Sequence, residues 1–160
     1  MAGARFAASQ IALGTGARVA DVQFDAQTGA AQLLDFLRDT PLRSSFAFVG
    51  NDWSANGNVR LQGSMRLPLT ADAETPLALD LDFQPEQMSL SMPDYRLNLE
   101  NAAGQGTFTL PHQLAGSFAG NIFGQQASIA VTSDAQQINF AVRGAPVSYT
   151  HLRAHETRGN

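Results

Sequence analysis

The sequence predicts an all-β chain, an antiparallel meander of long strands with one short helix at about residues 30–39. Three observations carry that reading. From Val59 the odd positions Val59, Leu61, Gly63, Met65, Leu67 and Leu69 alternate with Arg60, Gln62, Ser64, Arg66 and Pro68. A strand points successive side chains to opposite faces, so this run has one greasy face and one wet face. The same alternation recurs down the chain, joined by short turn-rich links without the crossover helices that parallel strands need. Only Ala30–Asp39 repeats its apolar residues at helical spacing.

Taken in order, the first residues are weakly patterned around Phe6, Ile11 and Leu13, broken by Gly14 and Gly16. A strand is expected over Ala17–Ala26, with Ala20, Val22 and Phe24 on one face. Thr28 is then the expected N-cap of a helix carrying Ala30, Leu33, Leu34 and Leu37, which Pro41 ends. A short apolar stretch, Phe46–Val49, and a Gly50–Asn51–Asp52 turn lead into the strand from Trp53 to Leu69. After it, Leu77, Leu79, Leu81 and Phe83 alternate with polar or small residues, as do Met88, Leu90 and Met92 up to a Pro93–Asp94 turn. Further alternating sets are Tyr95, Leu97 and Leu99; Phe108 and Leu110; Leu114, Gly116, Phe118, Gly120 and Ile122; Ala127, Ile129 and Val131; and Ile138, Phe140 and Val142.

Composition narrows the function classes. All ten basic residues are Arg, and the formal net charge of −4 supplies no electrostatic footprint for nucleic acid. Nor does it supply the cationic cluster that docks on an anionic membrane surface. There is no cysteine, which removes disulfides and thiolate chemistry. No stretch is long and apolar enough to span a bilayer as a helix, and the opening residues do not form a signal peptide. No Ser sits in a G-x-S-x-G context and no Gly-rich loop precedes a helix, so neither an enzyme nor a cofactor is expected. Asp80 and Asp82 share one side of a strand and read as a solvated face, because no His or Lys converges on them in the sequence. His112 is a lone loop histidine with no partner to orient it as a base.

The end of the chain stands apart. Val147–Thr157, VSYTHLRAHET, resembles one reading frame of a common sequencing adapter. Residues 147–160 are therefore expected to be a non-native tail, and residues 1–146 a fragment of a longer domain. That reading also removes His151 and His155, whose H-x-x-x-H spacing would otherwise suggest zinc on a helical face.

The area of the greasy face poses the functional question. About seven strands of ~25 Å at ~4.8 Å spacing present roughly 850 Å² of apolar surface, whereas a helix of ~15 Å by ~10 Å shields only about 150 Å². Soluble monomers rarely expose more than a few hundred Å² of contiguous apolar patch. The sheet must close into a sandwich or barrel, sit in a membrane, or use its greasy face as a channel. The aromatic girdles of a membrane barrel are missing, with one Trp and two Tyr in the chain.

Three segments bear on the choice: LLDFLRDTPL (Leu33–Leu42), GNVRLQGSMRLPL (Gly57–Leu69) and GSFAGNIFGQQASIAV (Gly116–Val131). In this order, with a Trp between the first two, they resemble the YhdP branch of the AsmA-like proteins over roughly Gln32 to Arg143. The residues concerned are Pro41–Leu42 after the helix, Leu67–Pro68–Leu69 at a strand end, and the Phe123–Gly124–Gln125–Gln126 turn. Gln126 stands where that family more often has proline.

The resemblance implies a curved, groove-like sheet in the periplasmic portion of an inner-membrane-anchored protein. Its apolar groove would carry phospholipid acyl chains toward the outer membrane, with neighbouring groove segments as its other partners. The lining candidates are Val59, Leu61, Met65, Leu67, Leu77, Leu79, Leu81, Phe83, Met88, Leu90, Leu97, Leu99, Phe108, Phe118, Ile122, Ile129, Val131, Ile138 and Phe140. The alternative is a self-contained β-sandwich or barrel, in which the same side chains are ordinary core and the protein is an interaction or small-ligand module.

Overall fold

A computed structural model of the chain describes residues 5–12, 19–70, 75–144 and 150–153. Nine strands form a single antiparallel sheet in sequence order: β1 (Arg5–Ala12), β2 (Val19–Gly29), β3 (Ser54–Pro68), β4 (Ala78–Met92), β5 (Leu97–Thr109), β6 (Gln113–Ile122), β7 (Gln125–Ser133), β8 (Ile138–Gly144) and β9 (Thr150–Arg153). The two outer strands do not pair with each other, so the sheet is open. One helix, α1 (Ala30–Asp39), follows β2 directly and packs on β3. The expected meander with a single short helix is therefore the fold; a closed barrel or a two-sheet sandwich is not.

Several boundaries differ from the sequence reading. Leu13, Gly14, Gly16 and Ala17 lie outside the described residues, but the weakly patterned start contains a strand, β1, that pairs with β2 from Arg5↔Gln27 to Ala12↔Asp21. The strand expected to end at Ala26 runs to Gly29, so Gly29, not Thr28, is the N-cap. Its N–H donates to Oε1 of Gln32 over 3.3 Å, a side chain one turn into the helix satisfying a donor the helix leaves free. Tyr95 belongs to a short 3-10 turn, Pro93–Tyr95, rather than to a strand. Leu77 precedes β4 instead of opening it.

The larger correction concerns strand count. Leu77–Phe83 and Met88–Met92 read as separate runs because their apolar residues occupy odd and then even positions. All but Leu77 belong to one 15-residue strand, β4. The register against β3 slips between Asn56↔Ser89 and Asn58↔Glu86, placing one extra β4 residue at Gln87–Met88, where Gln87 takes φ +50°. A bulge of one residue moves every later side chain to the other phase, so Phe83 and Met88 both face inward.

The neighbouring strand repeats the device. In β5 the register against β6 slips between Glu100↔Asn121 and Ala103↔Ala119, with Asn101 at φ +51°. Leu99 and Phe108 thereby share a face although one is odd and the other even. Opposite the β4 bulge stands Gly57 at φ +94°, where a Cβ would run into the backbone of Gln87 and Met88. The bulges make one row across the middle of the sheet, and each adds twist and bend where it sits. Between Trp53 and Arg143 there are six long strands rather than about seven.

The convex face is polar and stitched across strands. Arg60 grips Asp25 through both carboxylate oxygens, Nε–Oδ1 3.3 Å and Nη2–Oδ2 2.9 Å, and Gln62 donates to the same Oδ2 over 2.8 Å. Arg66 donates to Asp21 over 2.7 Å and Thr109 to Asp80 over 2.9 Å. The other face holds all the clustered apolar residues, and α1 lies across it.

Candidate functional site

The apolar face divides into a covered part and a bare part. Ala30, Leu33 and Leu34 of α1 press on Ala55, Val59 and Leu61 of β3. Beyond the helix a single 3-10 turn at Pro41–Ser44 leads into a compact segment that lays Phe46, Phe48 and Val49 over Leu79, Leu81, Phe108 and Met65. Phe46 and Phe108 meet with ring centroids 4.3 Å apart, and Phe108 is 1% exposed. The helix is not the whole lid: residues 42–49 extend it, because Phe46–Val49 folds back onto the sheet instead of merely linking α1 to β3.

Toward β6–β8 nothing overlies the face among the described residues. Leu97, Phe118, Ile138, Phe140 and Val142 are half-buried and pack sideways on Leu99, Ile122, Ile129 and Val131. Between this bare part and α1 lies an apolar cavity of about 230 Å³, bordered by Leu33, Leu34 and Leu37 on the helix side and by Phe140 and Val142 of β8 on the other. Five inter-strand steps of ~4.8 Å would separate β3 from β8 by roughly 24 Å in a flat sheet. Curling brings both to one trough.

Two rings make its floor. Phe83 of β4 lies over Gly106 of β5, its cross-strand partner, and Phe118 of β6 lies over Gly116 two residues back. A Cβ at either glycine would strike the ring. The two phenyls then stack, centroids 5.9 Å apart and 23° between planes. Glycines at these positions let aromatic side chains lie flat on the sheet, which keeps the trough open rather than filled. Gly120 is similarly occupied, by Leu99 and the backbone of Glu100.

The structure sorts the candidate lining residues. Val59, Phe83, Met88, Leu90, Leu97, Leu99, Phe118, Ile129, Val131 and Phe140 border the cavity. Met65, Leu79, Leu81 and Phe108 lie beneath the Phe46 segment, Leu61 beneath α1, and Ile122 and Ile138 pack behind the trough. Leu67 is half-buried outside these clusters. Leu77 is 37% exposed and stands apart. Sequence reasoning missed the far wall: Leu33, Leu34 and Leu37 were visible as an amphipathic stripe, and Trp53, Met92 and Tyr95 as apolar residues beside turns. No signal in the sequence said that the helix stripe faces the sheet across the trough, or that Met92, at the end of β4, borders it.

Titratable groups cluster on the other side of the sheet. Hydrogen bonds from Arg60 and then Gln62 hold the Asp25 carboxyl below the usual carboxylate range. Asp134, between β7 and β8, is lowered by the backbone N–H groups of Gln136 and Gln137. Asp80 and Asp82 point outward into solvent. Among the described residues no three His, Cys, Asp or Glu side chains gather as a metal site, and no helix is long and apolar enough to cross a membrane. His151 stands on β9, a strand rather than a helix, and His155 lies outside the described residues. No family model, curated protein or solved structure matches this chain.

Proposed function

We propose that this chain is a segment of a periplasmic lipid-transfer protein, whose apolar trough carries phospholipid acyl chains between the inner and outer membranes. The observation that carries the reading is the trough itself: a continuous apolar cavity on an open sheet, walled by α1 and the curl toward β8. The resemblance of Leu33–Leu42, Gly57–Leu69 and Gly116–Val131 to YhdP-type proteins supports the same reading.

The physical case is simple. At about 230 Å³ the cavity exceeds the ~150 Å³ apolar cavity that is enough to hold benzene in an engineered core. Each methylene moved into it from water gains ~0.8 kcal/mol, so affinity comes from chain length rather than from specific contacts. An open end lets a chain slide, and unpaired outer strands let neighbouring segments extend the wall.

Native mass spectrometry of the full chain, expressed in the periplasm and purified in mild detergent, tests this. Phospholipid is expected to co-purify with the protein and to be lost in a Leu97→Asp, Phe140→Asp double variant that keeps its β content. Both side chains border the trough and are half-buried, so the change reaches the trough more than the core. A well-folded, lipid-free monomer obtained without detergent would replace the transport reading with a self-contained β-module.

A further inference from the structure

At one end of the trough, where α1 gives way to the covering segment, the side-chain polar atoms depart from the pattern of the molecule. The buried side-chain nitrogens and oxygens that find no hydrogen-bond partner among the described residues are Nε of Arg38, Oγ1 of Thr40 and Nε1 of Trp53. All three are donors, and all three lie in this corner. Leaving a buried donor unsatisfied costs about 1–3 kcal/mol, so three together call for an explanation.

Arg38 is already part of the framework. Its Nη2 donates to the carbonyl oxygens of Gly50 (2.8 Å) and Trp53 (2.6 Å), and Nη1 lies 3.7 Å from Asp35. Its Nε is left without a partner among the described residues. Arg38, Thr40, Arg43, Gly50 and Asp94 border an open depression of about 740 Å³, and Leu37 lines both this depression and the apolar trough. Arg43 is exposed there with no ion pair among the described residues. Trp53 closes the gap: a Cβ on Gly50 would sit 2.5 Å from the indole Nε1 and 2.8 Å from Oδ2 of Asp94. Glycine at position 50 therefore leaves room for the indole and the Asp94 carboxylate on either side of it.

We propose that this corner holds the headgroup of a phospholipid whose acyl chain lies in the trough, an inference that rests on the lipid reading above. Arg38, Thr40, Arg43 and the indole N–H suit a phosphodiester, whose oxygens accept charge-assisted hydrogen bonds. Asp94 suits an ammonium group on the same headgroup. The matched class is a zwitterionic, amine-bearing phosphodiester rather than an anionic one.

Trp53 is the single tryptophan, so its fluorescence reports directly on the corner. The full chain is titrated with a short-chain phosphatidylethanolamine, the matching phosphatidylglycerol, the matching diacylglycerol and inorganic phosphate. Phosphatidylethanolamine is expected to bind about tenfold more tightly than either other lipid, and inorganic phosphate only weakly. Thr40→Val and Arg43→Ala, with circular dichroism as the folding control, bring phosphatidylethanolamine down to the diacylglycerol level and leave diacylglycerol unchanged. Asp94→Asn removes the preference over phosphatidylglycerol.

Equal binding of phosphatidylethanolamine and diacylglycerol overturns the headgroup site while the trough survives, and means that the three donors hold water. Equal binding of the two phospholipids overturns the role of Asp94. Inorganic phosphate binding as tightly as lipid overturns the lipid source. No binding of any lipid overturns the trough itself.

Discussion

The half of the apolar face beneath Phe46 and the half that runs to β8 are written in the same alternating code, yet they are different kinds of surface. Leu79 and Phe108 are 6% and 1% exposed, while Phe140 and Val142, equally apolar and equally inward, remain half-buried. What separates them is a lid. A sheet face becomes core only where another layer removes it from water, and alternation alone specifies the face, not its cover. In this molecule the lid is α1 plus residues 42–49, and it stops short of β6–β8.

The comparison can be broken by truncation. Phe108→Ala is expected to destabilise the fold by about 3–5 kcal/mol, because it removes a ring packed on all sides and leaves a cavity against Phe46. Phe140→Ala, at a half-buried site with no layer above it, is expected to cost less, about 1–3 kcal/mol, since part of that ring's area was never removed from water. Urea unfolding midpoints of the two variants decide the matter. Equal losses would mean that something covers β8 as fully as Phe46 covers β5.

A second change sharpens the boundary between the halves. Gly106→Val places a branched side chain where the Phe83 ring lies, with no space for both. Overpacking of this kind costs about 1–3 kcal/mol. The displaced ring must rise into the trough, so the variant is expected to lose bound lipid as well as stability. Thermal melting together with lipid retention separates this from a purely structural loss, in which the midpoint falls and lipid stays.

The sequence made the strands legible wherever burial on one face enforced period two, from Val59–Leu67 to Ala127–Val131. It misread the middle of the sheet because a bulge at Gln87–Met88 and another at Asn101–Ala102 reset the phase, and Gln87 and Asn101 stand where a G1 bulge carries its Gly. Each reset looks like the end of one strand and the start of another. The trough was legible only as a set of inward residues. Which of them line it depends on Phe46–Val49, four residues whose local pattern carries no period and whose fate is decided by contacts with distant strands, Phe108 of β5 among them. Long-range covering of this sort has no local signature.

The smallest expected effect lies on the polar side of the covered half, where Arg60 and Gln62 hold Asp25. The carboxyl is lowered in the folded chain relative to its ordinary value of 3.8, so its contribution to stability is fully present above that value. As pH falls through the lowered folded value, the proton binds and the contribution disappears. Asp25 is exposed, so solvent and salt screen the pair and the slope is shallow. Asp25→Asn is expected to leave the midpoint at pH 7 almost unchanged and to flatten the stability profile below about pH 4, where the parent chain keeps falling. Repeating the acid titration in 1 M salt should shrink the difference between parent and variant, because screening weakens the charge pair but not the packing of Phe108 beneath Phe46. A difference that survives high salt would place the source of the acid sensitivity elsewhere on β2 and β3.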